Sequence, residues 1–371
     1  MATFSQDMMN ELERIQDFNK PRMIAVNNNK TYAYSNQVMG QIEQKNRADY
    51  SRTAVGLNQS NIELLTIQHE FGIYGGESGE YILDLAEKLT IPFIVIFHTV
   101  LVEPSMKQLA IMKRLAELSI KVVTMAQTKI IDLQEVYGIA MNKIEMFHHG
   151  VPVVATATRL ELKATFGYEN RQILSTFGFL SPGKGIEYAI KAMKGVVAKH
   201  PNALYMIWGK THPVVKQESG EVYRQQLIDL VASLGLDKHV AFVDKHLTQE
   251  EVVQSLVLSD IYMTPYLGKD QAVSGTLAFG IGYGRVIIST PYRYAVEMLA
   301  DGRGLLAEFR DADSLETHIV NVLDDPGLKA EMENKTLALG STMMWDEVAK
   351  SYAVLFRKII AQSYALKGSA V

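Results

Sequence analysis

The sequence has no cysteine, and of its 371 residues only two are tryptophan and ten are proline. Without cysteine the chain forms no disulfide, has no thiolate nucleophile and offers no cysteine ligand to zinc. Basic and acidic residues nearly balance, with a formal net charge of −4 and no long run of Lys or Arg. Nothing in this charge pattern indicates a nucleic-acid partner.

Long apolar runs are also absent. The longest, Ile91–Val102, is interrupted by His98 and is far shorter than the roughly 20 residues of a membrane-spanning helix. No charged segment followed by an apolar one opens the chain, so no signal peptide is visible. We therefore expect a cytoplasmic protein without a transmembrane segment; peripheral membrane contact and the oligomeric state stay open.

What the sequence does contain is a repeated alternation of short apolar runs and longer helical patterns, which is typical of α/β folds with parallel sheets. Ten runs are predicted as strands: 22–27, 62–68, 93–97, 121–124, 144–147, 172–177, 203–208, 240–243, 261–264 and 286–289. Helical patterns lie between them, for example at 78–89, 105–118, 185–199, 221–234 and 249–256.

The chain length fits two domains of about 150–200 residues each. The segment HHGVP at His148–Pro152 ends a strand with Gly and Pro, which is typical of a domain connection. We predict a first domain over residues 1–152, a second over 153–342, and a carboxyl-terminal helix and tail over 343–371. Within this last part, the helix is predicted at 345–362 and a frayed tail follows it.

The amino-terminal end is unusual because a helical pattern, Phe4–Phe18, precedes any strand. In a doubly wound sheet the first strand is normally central, and its absence exposes two strand edges. The sequence therefore predicts that the first sheet is re-paired around its remaining strands or completed by a segment from another chain.

A candidate phosphate-binding turn lies at Leu174–Gly185, which reads LSTFGFLSPGKG. A strand ends in a glycine turn at Gly178, and a helix begins just after Lys184. Helix starts present free N–H groups and a positive dipole end, which suit a phosphate. The segment lacks both the P-loop and the dinucleotide spacing, so a plain strand-to-helix turn is the alternative.

A second amide-rich turn, Ser274–Gly275–Thr276, precedes an apolar helix that starts at Leu277. It is able to hold the same phosphate from the other side. The alternative is an ordinary helix cap, for which Ser and Thr are favoured.

These features resemble the retaining glycosyltransferases of family 4, two-domain enzymes of the GT-B type. The family's GRLxxxKG is similar to Gly178–Gly185, its cleft histidine to His98 in IPFIVIFHT, and its interdomain linker to HHGVP. The family arginine is Phe179 here, and Gln271 and Phe279 stand where the family has two glutamates. The fuller phrases, SPGKGIEYAI and SGTLAFGIGYG among them, look like a distinct bacterial branch.

The resemblance implies two Rossmann-like doubly wound domains that face a cleft, with the carboxyl-terminal helix crossing back to the first domain. The first domain would bind the acceptor and the second the activated sugar. It implies that His98 and Lys184 act in catalysis. Predicted donor-binding residues are Gly178, Lys184, Thr211, His212, Ser274, Gly275, Thr276, Leu277, Arg293 and Glu297. Predicted acceptor- or sugar-binding residues are His69, Glu70, Gly75, Gly76 and Thr99.

Plainer alternatives exist for several of these residues. His98 is alternatively a satisfied structural histidine, and His69–Gly76 a tight turn before a helix. Thr211 and His212 are alternatively surface residues. In the functional interpretation, Arg293 replaces the positive charge lost at Phe179, and Glu297 binds a sugar or ribose hydroxyl.

The predicted function is transfer of a hexose, glucose or mannose, from a UDP- or GDP-linked sugar to a saccharide, lipid or other hydroxyl acceptor. The resemblance implies retention at the anomeric carbon without an obligatory metal or further cofactor. Because the usual glutamates and arginine are absent, the alternative is a noncatalytic GT-B subunit that binds nucleotide-sugar or a partner glycosyltransferase. A GT-B epimerase or phosphorylase is a third alternative.

Overall fold

The computed structural model describes residues 1–16, 18, 20–28, 32–271 and 273–368. The chain divides into two units. Unit 1 comprises Met1–Gly150 and the carboxyl-terminal segment from Trp345, and unit 2 comprises Val151–Met344. Both are α/β structures with parallel sheets, which confirms the predicted fold class.

Helices and strands alternate through the first part of the chain. In order they are α1 (Ala2–Arg14), β1 (Met23–Asn27), β2 (Val38–Glu43), α2 (Arg47–Asn58), β3 (Leu65–His69), α3 (Ile82–Ala86), β4 (Phe93–Phe97), α4 (Met106–Leu118), β5 (Lys121–Thr124), α5 (Gln127–Glu135) and β6 (Ile144–Met146).

The same alternation continues to the end of the described chain. The elements are α6 (Arg159–Phe166), β7 (Gln172–Phe177), α7 (Ile186–Lys199), β8 (Ala203–Trp208), α8 (Pro213–Ser219), α9 (Val222–Ser233), β9 (Val240–Val243), α10 (Gln249–Leu258), β10 (Ile261–Thr264), α11 (Gly275–Gly282), β11 (Ile287–Ser289), α12 (Arg293–Met298), β12 (Gly304–Leu306), α13 (Ala312–Asp324), α14 (Pro326–Gly340) and α15 (Trp345–Gly368).

Unit 1 contains two separate parallel sheets in the part of the chain that the structure describes. One has the order β3-β4-β5-β6, and the other pairs β1 with β2 alone. All five residues of β4 are buried, as expected for a parallel strand covered on both faces. The predicted re-pairing of the remaining strands into one sheet is therefore not found.

The carboxyl-terminal helix belongs to unit 1 and is anchored there by an aromatic side chain. Trp345 is buried, its ring lies 4.8 Å from that of Phe4, and it leaves no room for a methyl group on Gly150. Arg357 also donates to the carbonyl of Gln16 at 2.9 Å. These contacts tie α15 to the beginning of the chain.

Unit 2 has a six-stranded parallel sheet in the order β12-β11-β10-β7-β8-β9. The chain leaves β7 toward β8 on one side, whereas β10 lies on the other side of β7. This reversal is the topological switch point of a doubly wound sheet, where the strand ends leave a crevice for ligands. The loops that follow β7 and β10 therefore border this crevice.

Several predicted boundaries differ from the structure. The predicted helix at 78–89 is a short 3-10 turn, Glu77–Gly79, followed by α3, because Ser78 and Gly79 have positive φ angles. The predicted helix Phe4–Phe18 is α1, which ends at Arg14. Helix α15 continues to Gly368 where a frayed tail was predicted; residues 369–371 of that tail lie outside the described residues. Strands β2 and β12 were not predicted.

We looked for helices able to cross a membrane. Within the described ranges, none combines sufficient length with sufficient apolar character.

Candidate active site

The loops at the switch point of unit 2 are held close together by glycines. The carbonyl of Gly178, after β7, leaves no space for a side chain at Gly209, after β8. Both glycines have positive φ angles, 122° and 134°, which favour glycine. Leu180 in the first loop then bonds to the second loop, where its amide donates to the Lys210 carbonyl at 2.9 Å.

Lys184 lies on the β7–α7 loop and faces an aromatic ring on the β10–α11 loop. Its ammonium lies 3.7 Å from the ring centre of Tyr266, and no carboxylate of the described residues pairs with it. Gly185 ends the loop with a φ of 61°, and a methyl group there would collide with the Pro265 carbonyl. The loop thus places an unneutralised cation at the switch point.

Hydroxyl groups surround the same ring. The Tyr266 hydroxyl lies 2.7 Å from Thr276 Oγ1, which lies 3.0 Å from Ser274 Oγ. Thr276 also approaches Gly178: a methyl group built on that glycine would lie 3.5 Å from Thr276 Cγ2. Two predicted donor residues, Lys184 and Thr276, therefore contact Tyr266, and two more, Ser274 and Gly178, lie beside Thr276.

Sequence reasoning missed Tyr266, although Pro265 and Tyr266 directly follow strand β10 and so lie at the carboxyl edge of the sheet. Its ring also stacks on Tyr292, with ring centres 5.4 Å apart. In addition, Thr290 Oγ1 donates a hydrogen bond to the Tyr266 carbonyl at 2.5 Å. Packing and hydrogen bonds together fix the ring that faces Lys184.

The helix that follows the second turn, α11, is capped by its own sequence. Ser274 Oγ accepts the Leu277 amide at 3.2 Å. Because that amide is already bonded and the Leu277 side chain is fully buried, the predicted donor contact of Leu277 is not supported by its position. Gly275 opens the helix beside these residues.

Aromatic rings occupy two positions where the resembled family carries charge. Phe279 stacks on Phe177, with ring centres 6.3 Å apart. Phe179 is 40% exposed, and its ring contacts His212 at 5.7 Å and His246 at 6.2 Å. Both positions therefore carry apolar side chains. Gln271 is described, whereas Ala272 next to it lies outside the described residues.

Thr211 and His212 follow β8 beside the first loop. The Thr211 side chain is buried and donates to Glu221, while His212 caps α8 by accepting the Val214 amide at 3.3 Å. The Lys216 ammonium, 2.8 Å from Glu221, together with the Thr211 hydroxyl lowers the pKa of Glu221 to about 2. Thr211 therefore positions an ionised carboxylate, whereas its predicted donor contact stays a prediction.

Arg293 and Glu297 lie on α12. The Arg293 amide donates to the Lys269 carbonyl at 3.0 Å, which attaches α12 to the β10–α11 loop. Both side chains are half-buried. Their predicted contacts with phosphate and with a sugar hydroxyl stay predictions.

In unit 1, His98 follows β4 and is held by its neighbours. Its Nε2 lies 2.7 Å from Gln68 Oε1, and its ring packs edge-on against Phe4 at 4.9 Å. Burial lowers the pKa of His98 to about 3, helped by His149 and the amino terminus. The imidazole is therefore neutral at pH 7, which suits a hydrogen-bonding role rather than a cationic one.

Glu70 and Thr99 meet at the ends of the adjacent strands β3 and β4. Thr99 Oγ1 donates to Glu70 Oε2 at 2.6 Å, and Glu70 Oε1 accepts the Phe71 amide at 3.0 Å. Both side chains are half-buried. Together with His98 they form a polar group at the carboxyl edge of the unit 1 sheet.

His69 is placed differently from the prediction. The His69 side chain has no exposed surface and lies among the rings of Phe71, Tyr74 and Phe97. Burial lowers its pKa to about 4. Gly75 and Gly76 pack closely against the Gln44 carbonyl and the Tyr81 ring, respectively. His69 therefore belongs to the core and offers no ring surface to an acceptor, whereas the predicted contacts of Gly75 and Gly76 stay predictions.

We also searched for metal-binding clusters. In the described ranges, no group of three or more His, Asp or Glu side chains is arranged to hold a metal ion.

Unit 2 thus has a doubly wound sheet with a cation and hydroxyl groups at its switch point, which is where α/β proteins of this topology bind their ligands. Residues 158–337 match the family described as Glycosyl transferases group 1. A GDP-mannose-dependent monoacylated alpha-(1-6)-phosphatidylinositol monomannoside mannosyltransferase of Corynebacterium glutamicum is 27% identical over 195 residues. That match covers 51% of this chain and 47% of that protein, so the chain spans about half the relative's length.

Solved structures are similar over nearly the whole chain. Sucrose-phosphate synthase of Thermosynechococcus elongatus has a TM-score of 0.76 at 14% identity, covering 97% of this chain and 93% of that one. A glycosyltransferase of Rickettsia africae has a TM-score of 0.75 at 15% identity, and the match covers 96% of this chain and 94% of that one. Anabaena HepE in complex with UDP has a TM-score of 0.69 at 15% identity, and the match covers 84% of this chain and 82% of that one. These structures confirm the fold, which is that of GT-B glycosyltransferases, and residues 158–337 of unit 2 are similar to the group 1 glycosyltransferases.

Proposed function

We propose that this chain transfers a hexose from a nucleotide diphosphate sugar to a hydroxyl acceptor, with retention of anomeric configuration. The observation that carries this proposal is the ammonium of Lys184, which faces Tyr266 at the switch point without a carboxylate partner among the described residues. A nucleotide diphosphate supplies the anion that such a site lacks. HepE, similar in fold, is named with UDP and glucose, which supports a nucleotide-sugar donor.

The chemistry of the site fits a departing diphosphate. Negative charge grows on the β-phosphate as the glycosidic bond breaks, and preorganised cations and dipoles stabilise it. Lys184 supplies a charge, the start of α7 supplies amide groups, and Thr276 supplies a hydroxyl. We assign these three groups to the leaving phosphate, and no protein carboxylate to nucleophilic attack. Retention then follows from attack on the same face, assisted by the departing phosphate.

The half-buried neutral His98 is assigned to positioning the transferred sugar, with Thr99 and Glu70 beside it. A neutral imidazole held by Gln68 binds a hydroxyl through its remaining ring nitrogen. The two candidate donors are UDP-glucose and GDP-mannose, which differ in base and in sugar. The match to a mannosyltransferase favours GDP-mannose.

The second candidate is a noncatalytic subunit that binds nucleotide-sugar or a partner glycosyltransferase. It is favoured by Phe179 and Phe279, whose rings replace the family's arginine and glutamate. Hydrolysis of nucleotide-sugar by the purified protein separates the two, because a noncatalytic subunit releases no sugar.

Lys184→Ala tests the central assignment. We expect turnover to fall by roughly a hundredfold or more, because a charge contact in the transition state is lost. Turnover is measured with radiolabelled UDP-glucose and GDP-mannose. The matched control is Lys191→Ala, which removes an exposed lysine that lies over a tyrosine ring on α7, 5.2 Å from the ring centre. A Lys184→Ala enzyme within threefold of the parent removes Lys184 from the mechanism.

A further inference from the structure

Lys184 and Tyr266 face each other across the two loops that border the switch point of unit 2. The ammonium lies 3.7 Å from the ring centre. On one side of this pair the Leu267 amide donates to the Gly183 carbonyl at 3.0 Å, which joins the two loops. On the other side, a methyl group built on Gly185 would collide with the carbonyl that precedes Tyr266. The main chain therefore holds the lysine and the ring in register.

The ring of Tyr266 is not itself a surface for a ligand. Only 1% of this residue is exposed, and the Lys184 ammonium lies over the ring centre. The ring also stacks on the buried ring of Tyr292, and the Tyr266 amide donates to the Thr264 carbonyl at 2.8 Å. Tyr266 is thus fixed within the site, and its effect on a bound anion must pass through its neighbours.

The ring offers Lys184 an attraction that leaves the positive charge uncompensated. A carboxylate at this position would pair with the ammonium and repel an incoming phosphate. The face of an aromatic ring attracts an ammonium through its quadrupole, by roughly 2- to 30-fold in an equilibrium constant, and carries no net charge. Because a long lysine side chain loses rotamer freedom when it binds, an ammonium that is already held in place has less freedom to lose.

The hydroxyl of the same tyrosine reaches the second phosphate-binding turn. It lies 2.7 Å from Thr276 Oγ1, which lies 3.0 Å from Ser274 Oγ. Thr276 is one of the three groups assigned to the leaving phosphate. When the phenol of Tyr266 donates to Thr276, it fixes the threonine side chain and leaves the threonine hydrogen able to point at an anion.

We propose that Tyr266 is a positioning residue for both phosphate-binding turns. Its ring holds the Lys184 ammonium, and its hydroxyl orients the Thr276 hydroxyl, so one side chain sets the distance between a cation and a hydrogen-bond donor. The ligand that fits this pair is the diphosphate common to UDP- and GDP-linked sugars. The inference rests on the proposed function, because it concerns the groups assigned there to the diphosphate.

Two substitutions separate the ring from the hydroxyl. Tyr266→Phe keeps the ring and removes the hydroxyl, whereas Tyr266→Leu removes both. Calorimetry measures the binding of inorganic pyrophosphate, which has the two phosphates without base or sugar, and of UDP and GDP. We expect Tyr266→Phe to weaken binding about 2- to 12-fold through one lost hydrogen bond. Tyr266→Leu should weaken it roughly 2- to 30-fold further through the lost contact with the ammonium.

Double-mutant cycles show whether these losses pass through the two partners. In Thr276→Val, the change Tyr266→Phe should have no effect on UDP or GDP binding, because no hydroxyl remains to be oriented. In Lys184→Ala, Tyr266→Phe and Tyr266→Leu should bind these nucleotides equally. The matched control is Tyr188→Leu, which removes the ring that lies 5.2 Å from the Lys191 ammonium and should leave binding unchanged. Additive losses in both cycles, as for a merely structural tyrosine, overturn the proposal.

Binding and turnover separate this inference from the proposed function. If the predicted couplings are found but no sugar is transferred, the inference holds and the proposed transfer is wrong. If pyrophosphate, UDP and GDP all fail to bind the parent chain, both are overturned.

A second measurement applies if Tyr266→Leu does not fold. In the parent chain with ¹³C-labelled lysine, the Lys184 side-chain resonance is identified by its loss in Lys184→Ala. We expect an upfield ring-current shift of this resonance and a further change when pyrophosphate binds. A Lys184 resonance at the position of the exposed lysines rejects the proposal.

Discussion

At the scale of single residues, unit 1 contains histidines whose pKa is lowered by burial, and His69 is the most enclosed of them. His69 has no exposed surface, and neither ring nitrogen has a hydrogen-bond partner among the described residues. Its pKa is lowered by burial to about 4, below its value of about 6.5 in an unfolded chain. The unfolded chain therefore binds the proton first, and the stability contributed by neutral His69 is lost as pH falls from about 6.5 toward 4.

His69→Leu should reduce this acid sensitivity. For one such histidine we expect the free energy of unfolding to drop by about 2 kcal/mol between pH 7 and pH 5. The variant lacks the titrating group, so its drop should be smaller by about that amount. Urea unfolding at the two pH values measures the difference, and an unchanged drop contradicts the assignment to His69.

At the scale of elements, the loops of unit 2 depend on two neighbouring glycines in different ways. Gly185 has a positive φ and touches the Pro265 carbonyl, whereas nothing lies within 4 Å of a methyl group built on Gly183. The amide of Leu267 also donates to the Gly183 carbonyl at 3.0 Å. The β7–α7 loop is thereby pressed onto the β10–α11 loop, where Tyr266 and Lys184 meet.

Gly185→Ala should separate these loops. The backbone strain and the collision together should lower the free energy of unfolding by at least about 1–3 kcal/mol. Nucleotide binding, measured by calorimetry with UDP and GDP, should weaken with it. Gly183→Ala serves as the control and should stay close to the parent in both measurements. Equal behaviour of the two variants would show that the close contact is unimportant.

The limits of prediction also become clear at this scale. The central strands and the Lys184 turn were predictable because long apolar runs and glycine punctuation are local signals. Strand β2, VMGQIE, was not, because only one of its residues is buried. The role of Tyr266 was not predictable either, because it depends on residues that the separate loops after β7 and β10 bring together. The enclosure of His69 depends likewise on rings from neighbouring strands and turns.

Across unit 2 as a whole, a buried carboxylate links distant parts of the chain. Asp260 accepts from Lys163 and Lys329, each at 2.6 Å, and from the Ile173 amide at 2.8 Å. The two ammonium groups hold the pKa of Asp260 below its ordinary value against the effect of burial. Helices α6 and α14 are thus tied to the start of β10.

Asp260→Ala should be strongly destabilising. It leaves two partly buried ammonium groups and a strand amide without their acceptor, at a cost of about 3–5 kcal/mol. Chemical denaturation measures the change. Glu347→Ala removes an exposed partner of Lys350 and should cost less than about 1 kcal/mol. A similar small effect at Asp260 would contradict the role assigned to this cluster.

Unit 1 is discontinuous in sequence, since Trp345 packs against Gly150 and Phe4 from across the whole of unit 2. During synthesis, unit 2 is therefore complete while the helix that finishes unit 1 has still to leave the ribosome. Synthesis adds roughly 5–20 residues per second, so the apolar surface that Trp345 covers stays exposed for on the order of ten seconds or more after Gly150 is made. Over that interval the nascent chain exposes apolar surface of the kind that makes incompletely folded chains prone to aggregation, and α15 covers it last.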